Sequence, residues 1–380
     1  MKHINLFWMV LLLLAAPIVV MTSCLDKEEE ITGDSYYDVF ESCWQILDER
    51  YCFFEEKGVN WDDVHRFYKP LARDSVKNAQ QLLAMLDAML DVLKDGHVNI
   101  YTPFNVARYW SWYEDYPTNY DANLVQEYYL KTNYWQAGSF AYTMLKEDSV
   151  AYVRYSSFSS AVGATNLDYL LMATRRAKGL ILDIRSNGGG ALTNATALAE
   201  RFCTEKTLCG YIRHKTGKGH NDFSSPEPLY LDPVPDGRWG WDASTQPVVV
   251  LTNRHTFSAA NNFVQIMKEL DGSMTTDSVG VQHPKMIKIC GDRTGGGGGM
   301  PFESVLPNGW SLRFSACPIT DARGKSAESG IDPSEGMKVD MDSLSAFKDH
   351  RDEIIEAART YIINHTRMPQ VEDEKAEKEK

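Results

Sequence analysis

Four separated stretches of this 380-residue chain hold residue types that can do chemistry together. In "VVVLTNRHTFSAANNFVQIMKEL" (Val248–Leu270) an apolar run stops at a hydroxyl and becomes a helical pattern. Val248 to Leu251 is continuous and rich in β-branched residues, which marks a buried strand. Phe263, Ile266, Met267 and Leu270 then recur at helical spacing. Ser258 lies at the junction. Its hydroxyl can cap the helix by accepting a free backbone N–H, or it can be a nucleophile beside amides that stabilise an oxyanion. Taken alone, the stretch favours the cap, the commoner use. "LKDGHV" places His97 on a loop as a potential general base, and His255 is a local rival just before Ser258. "GLILDIRSNGGG" ends in glycines that let backbone amides approach a ligand closely. It lacks the Gly-Lys-Ser/Thr of a phosphate loop. "GDRTGGGGG" and "SAESGIDPSE" add further glycines and Glu328.

Other elements must bring these loops together. From Ser149 onward, strand-like and helix-like runs alternate: "VAYVRYSSF", "NLDYLLMATRRA", "GLILDIR", "ALTNATALAERF", "PVVVLTN", "SAANNFVQIMKEL". The alternation predicts a largely parallel α/β sheet. In such sheets, ligands and catalytic groups gather at the carboxyl ends of the strands. "DIRSNGGG" and "TNRHTFS" both fall at such ends. Upstream, Phe40, Cys43, Trp44 and Leu47, and then the leucines and methionines from Leu82 to Leu93, predict a helical part from Tyr37 to Leu93. Gly96 breaks it. Residues 104–140 are unusually aromatic and fit neither period; they read as a connection that packs on, or partly covers, a groove. "PNGWSLRFSACPIT" predicts a strand pair around an Asn-Gly turn. Asp342 to His365 predicts a helix, and "EDEKAEKEK" a charged tail.

Composition narrows the field. With 43% hydrophobic and 24% charged residues, the chain suits a large domain plus a smaller one. A net charge of −13 without a basic patch argues against a nucleic-acid partner. Residues 1–23 are basic, then apolar, then small, which predicts a secretory signal rather than a spanning helix. The acidic residues that follow predict a solvated tether over 24–36. Besides Cys24 there are Cys43, Cys52, Cys203, Cys209, Cys290 and Cys317. Their spacing matches no zinc signature, and six thiols allow too many pairings to assign one.

Five of these motifs, in this order, resemble peptidase family S41, the tail-specific (carboxyl-terminal processing) proteases and the tricorn protease core: "LDIRSNGGG", "TFSAA", "DRTGGGG", "LPNGWSLRFS" and "ESGIDPSE". The likeness spans Val150 to Val339 and, more loosely, the helical part with "DGHV". It implies an α/β fold with a crotonase-like αβ spiral core over 146–345 and a small N-terminal helical domain over 37–103. The aromatic connection then covers 104–145, and a C-terminal helix and tail cover 346–380. The connection is too short to hold the family's peptide-binding PDZ module, so no PDZ domain is expected. The aromatic residues become candidates for holding substrate tails.

The family has two catalytic plans. One pairs the serine with a lysine in a Thr-Xaa-Gly-Lys-Gly stretch; the matching residues are Thr294 to Gly298, with Gly297 at the lysine position. The tricorn-like plan uses a histidine, matched by His97, and a glutamate, matched by Glu328. Its second serine is replaced by Gly96. The resemblance implies a serine endopeptidase in which Ser258 attacks, His97 is the base and Glu328 orients the site. Ala259 N–H, with Gly189 or Gly190 N–H, would form the oxyanion hole. A polypeptide substrate is implied, and no metal or other cofactor. Met21-Thr22-Ser23-Cys24 resembles a bacterial lipobox, and "LDKEEE" resembles the surface-export signal of Bacteroides-type lipoproteins. These imply lipidation of Cys24, a membrane anchor and an outer-membrane location, periplasmic or cell-surface. Two other functions suit the same scaffold: a non-catalytic binding protein for lipid or peptide, and a hydrolase of small esters or acyl groups.

Overall fold

The computed structural model describes residues 35–367, apart from 146, 148, 277–278, 343–345 and 347. The signal segment, Cys24, most of the acidic tether and the charged tail lie outside the described residues. The helical pattern near the start resolves into α1 (Tyr36–Arg50), α2 (Trp61–Asp74) and α3 (Ala79–Asp91), with one short helical turn at Phe54–Lys57. Caps divide the stretch. Ser35, Asn60 and Asn78 each accept a first-turn N–H, from Asp38, Asp63 and Gln81.

Two hairpins follow: β1 (Asn99–Tyr101) with β2 (Val106–Arg108), and β3 (Trp135–Ala137) with β4 (Phe140–Leu145). The alternating part comprises β5 (Val150–Tyr155), α4 (Ala164–Thr174), β6 (Leu180–Asp183), α5 (Leu192–Ala199), β7 (Thr207–Ile212), β8 (Glu227–Leu231), β9 (Val248–Thr252) and α6 (Ala259–Leu270). A small hairpin, β10 (Met274–Thr276) and β11 (Gln282–Pro284), precedes β12 (Ile287–Gly291), β13 (Gly299–Val305), β14 (Ser311–Thr320) and α7 (Glu353–His365).

The first sheet runs β12-β9-β6-β5-β4-β3. Its first four strands are parallel, as the alternation predicts, and the β3–β4 hairpin extends it antiparallel. Every residue of β9 is buried, because helices cover both faces. One face packs on α4, α5 and α6 through Leu171, Leu198 and Phe263; the other packs on α7 through Ile355 and Ile362. The second sheet runs β2-β1-β14-β7-β8, with β13 also beside β14. Its β13–β14 pair, turning at Asn308-Gly309, and the strand begun after Gly96, β1, are legible in the sequence pattern. The N-terminal helices pack on this sheet, with Phe40, Leu47 and Leu86 in one cluster with Leu312 and Phe314. Docking β1 against β14 carries the loop of His97 to the edge where the parallel strands end.

The helix expected from Asp342 is interrupted: Ala346, Lys348 and Asp349 are helical, His350 turns at φ 56°, and α7 begins at Glu353. Its cap is Asp352, whose carboxylate accepts from Ile354 and Ile355 N–H. The same carboxylate meets Arg185. This fully buried guanidinium forks between Asp183 (Nη2–Oδ2 2.7 Å) and Asp352 (Nη1–Oδ2 2.8 Å), and Tyr152 Oη donates to Asp183 Oδ2 at 2.7 Å. The network ties the end of β6 to the start of α7. Arg185→Met would strand two buried carboxylates and should lower stability by about 3–5 kcal/mol. Urea unfolding measures this, and a loss under about 1 kcal/mol would show that the network is dispensable.

Candidate active site

The carboxyl ends of β5, β6, β9 and β12 deliver four loops to one edge of the first sheet. Backbone bonds lock them together. Phe257 N–H donates to Asn187 O (3.0 Å), Ser258 N–H to Gly296 O (2.9 Å) and Gly295 N–H to Thr256 O (2.9 Å). Asn187 adds a side-chain knot: Oδ1 accepts from Gly189 N–H (3.0 Å), and Nδ2 donates to Tyr155 O (3.1 Å).

Ser258 heads α6 with φ 57° and ψ −125°, in the left-handed half of φ space, and its side chain makes no cap bond. Such a backbone costs a non-glycine residue about 1–3 kcal/mol and persists only where its surroundings enforce it. The hydroxyl instead sits 2.9 Å from His97 Nε2. His97 is 1% exposed. Its own N–H donates to Asp95 Oδ1 at 2.7 Å, and its ring lies 4.7 Å from that of Phe257. Nδ1 is buried without a protein partner, so packing holds the ring. Burial pushes its pKa down to about 4; the Asp95 charge opposes this, while Arg313 and Lys57 add to it. The imidazole is therefore neutral near pH 7 and able to take a proton at Nε2.

His255, the rival base, packs its ring 4.3 Å from that of Tyr113. The bond to the Ser258 hydroxyl belongs to His97. Two glycines explain the departures from the family pattern. A Cβ on Gly297 would lie 3.0 Å from His97 Cε1 and 2.6 Å from Phe257 Cζ, so the histidine ring occupies the space a lysine there would need. A Cβ on Gly96 would come within 2.8 Å of Trp112 Nε1, so an indole fills the place of the missing serine. Trp112 also stacks on Phe257 at 4.3 Å. The aromatic connection thus packs against Phe257, the residue before Ser258. None of its rings from Tyr109 to Tyr120 lines the groove over Ser258.

Glu328 is 4% exposed. Its Oε1 pairs with Lys57 Nζ at 2.8 Å, its Oε2 accepts from Gly298 N–H at 2.9 Å, and its carbonyl accepts from Gly297 N–H at 3.1 Å. It therefore holds the glycine run rather than the histidine. Burial, then the Asp95 charge, raise its pKa against the opposing pull of Lys57 and Gly298. Asp95, Lys57 and Asn187 were not singled out from the sequence, although Asp95 belongs to the quoted "DGHV". Asp95 Oδ2 accepts from Tyr51 Oη (3.0 Å) and Ser315 Oγ (2.8 Å), partners far away in the chain.

Of the amides expected to meet an oxyanion, Ala259 N–H opens α6 and Gly190 N–H follows the Asn187 knot. Neither has an acceptor among the described residues. Gly189 N–H is taken by Asn187, but the residue must be glycine: a Cβ would lie 2.8 Å from both Ser258 Cβ and Ala259 N. A groove of about 650 Å³ opens over Ser258 and His97, with Leu192, Met300 and Arg313 in its walls. No group of three or more His, Cys, Asp or Glu that could hold a metal ion occurs among the described residues.

The strained serine is testable by stability alone. Ser258→Gly should be more stable than Ser258→Ala by about 1 kcal/mol in urea unfolding, because only glycine adopts this backbone freely. An equal or lower stability for the glycine variant would show that the backbone is not strained.

Residues 149–336 match the model of peptidase family S41, and residues 34–91 match that of the tricorn protease C1 domain. None of the curated proteins matches the chain. The crystal structure of a candidate peptidase from Parabacteroides merdae is 45% identical, over 87% of this chain and 97% of that one, with a TM-score of 0.77. Mature CPAF in complex with lactacystin shares the fold at 11% identity and a TM-score of 0.62, over 87% of this chain and 99% of that one. With a relative this similar along nearly its whole length, and the family model lying on the segment that carries the four loops, the chain belongs to peptidase family S41.

Proposed function

We propose that the chain is a serine peptidase of the cell envelope that cleaves polypeptides through an acyl-enzyme on Ser258. The observation that carries this reading is the 2.9 Å contact between Ser258 Oγ and a buried, neutral His97. Ser258 Oγ attacks the scissile carbonyl as its proton passes to His97 Nε2. Ala259 and Gly190 N–H receive the oxyanion; one such donor is worth on the order of a hundredfold in rate. His97 then returns the proton to the leaving amine. Water, deprotonated by the same ring, releases the acyl group.

Asp95 acts through His97. Its charge favours the imidazolium that forms during attack, and its three hydrogen bonds fix it beside the ring's own loop. Glu328 and Lys57 act as positioning residues, holding Gly297 and Gly298 against the histidine. The envelope location rests on the lipobox-like "MTSC" and lipidation of Cys24.

Labelling of the mature protein with a fluorophosphonate should place the adduct on Ser258. Ser258→Ala and His97→Ala should lower labelling by at least about a thousandfold, and His255→Ala should label like the parent. A folded parent that stays unlabelled would instead favour a non-catalytic binding protein, and turnover of esters but not peptides a small acyl hydrolase. The acid limb of kcat/KM should fall near pH 4, where the buried imidazole protonates. Asp95→Asn removes a charge that raises the His97 pKa, so the limb should move to lower pH while kcat falls about tenfold or more. A limb at the ordinary histidine pH of about 6.5 would remove His97 from the role of base.

A further inference from the structure

The walls of the groove carry one charged side chain among the described residues. The chain has 52 acidic residues and a net charge of −13, yet among the described residues no Asp or Glu lines the cavity over Ser258, and Arg313 is its one Lys or Arg. Arg313 lies on β14 between Asn99 on β1, two residues beyond His97, and the exposed Glu303 on β13. It is partly buried, and its guanidinium makes no hydrogen bond or ion pair among the described residues. Most of the other partly buried arginines here are paired: Arg154, Arg254 and Arg359 all reach a carboxylate. A planar guanidinium in the wall of the same groove as Ser258 offers two parallel N–H donors to a carboxylate. Asn262, one turn into α6 from Ser258, lines the same groove. It is 6% exposed, and its Oδ1 is buried without a hydrogen-bond partner. Such an acceptor suits a backbone N–H of a bound peptide.

We propose that Arg313 is a carboxylate anchor in the substrate groove, so that the preferred peptides carry a carboxylate close to the scissile bond. This rests on the peptidase reading of the site. The carboxylate can be the free end of the peptide or an Asp or Glu side chain, and the shared chemistry is a bidentate, charge-assisted pair. Partial burial strengthens such a pair relative to one in open water.

The test uses binding, which needs no turnover. Four fluorescent peptides of one sequence carry Glu or Gln at an internal position and a free or amidated C-terminus. Their affinities are measured by anisotropy for the Ser258→Gly protein, alone and combined with Arg313→Gln or Arg313→Lys. At least one carboxylate source should bind tenfold or more tightly than the doubly neutral peptide, and the arm that does so names the source. Arg313→Gln should bring the ratio within twofold. Arg313→Lys, which keeps the charge and loses the fork, should fall between. Equal affinities for all four peptides overturn the anchor. So does no measurable binding of the carboxylate peptides up to millimolar concentration, or a tenfold preference that survives Arg313→Gln. Fluorophosphonate labelling of the unsubstituted chain judges the peptidase reading separately. Labelling without a carboxylate preference removes the anchor alone. A preference without labelling removes the acyl-enzyme and keeps the anchor.

Discussion

The N–H groups of Phe257 and Ser258 donate to carbonyls on opposite sides, Asn187 O and Gly296 O, and this clamp holds Ser258 at a positive φ. The other features of the site follow from the clamp. The three loops approach so closely that glycine is required on both flanks. A Cβ on Gly189 would strike Ser258, and one on Gly296 would strike the Glu328 carbonyl. The glycine runs are therefore less a flexible hinge than a condition for three backbones to touch. The strain of one serine is offset by hydrogen bonds contributed by three strand ends, and the hydroxyl is left pointing at the histidine rather than back at its own helix.

The chemistry depends on what burial does to each charge. His97 is buried deeply enough to stay neutral, which suits the proposed role of base, while Asp95 beside it partly offsets that burial. Asp95 is tolerated because Tyr51, Ser315 and the His97 backbone all donate to it. Glu328 shares the same pocket of low dielectric and leans on Lys57. The base, its supporting carboxylate and the pinned glycine run thus form one electrostatic unit. Arg313 and Lys57 are both close enough to act on the histidine through space.

The sequence makes the parallel sheet readable because its strands are short continuous apolar runs separated by helical ones, and the loops at their carboxyl ends are marked by glycine and Ser258. The second sheet is not readable in this way. Only the start of β1, after Gly96, and the β13–β14 pair show in the pattern; β2, β7 and β8 are short, and β1 and β7 join the sheet through β14, far away in sequence. The helix expected from Asp342 is interrupted at His350, and one capping carboxylate, Asp352, decides where α7 starts. Ser258 and His97 stand out through motifs. Asn187 and Arg313 sit inside quoted motifs without standing out there, and Lys57 lies outside them, since their meaning lies in surroundings that only the fold supplies. Gly96 looked like a lost serine; the reason for it, Trp112, lies in a segment with no regular period.

His97 and Ser258 are 161 positions apart. His97 reaches Ser258 only after β1 has docked on β14, a strand laid down still later in the chain. During synthesis the histidine emerges first and waits, and the serine emerges without it. The pairing of the two therefore arrives last, with closure of distant contacts. A half-made or partly unfolded copy of this chain carries both side chains and not their contact, so under the proposed mechanism the fold itself withholds reactivity until assembly is complete.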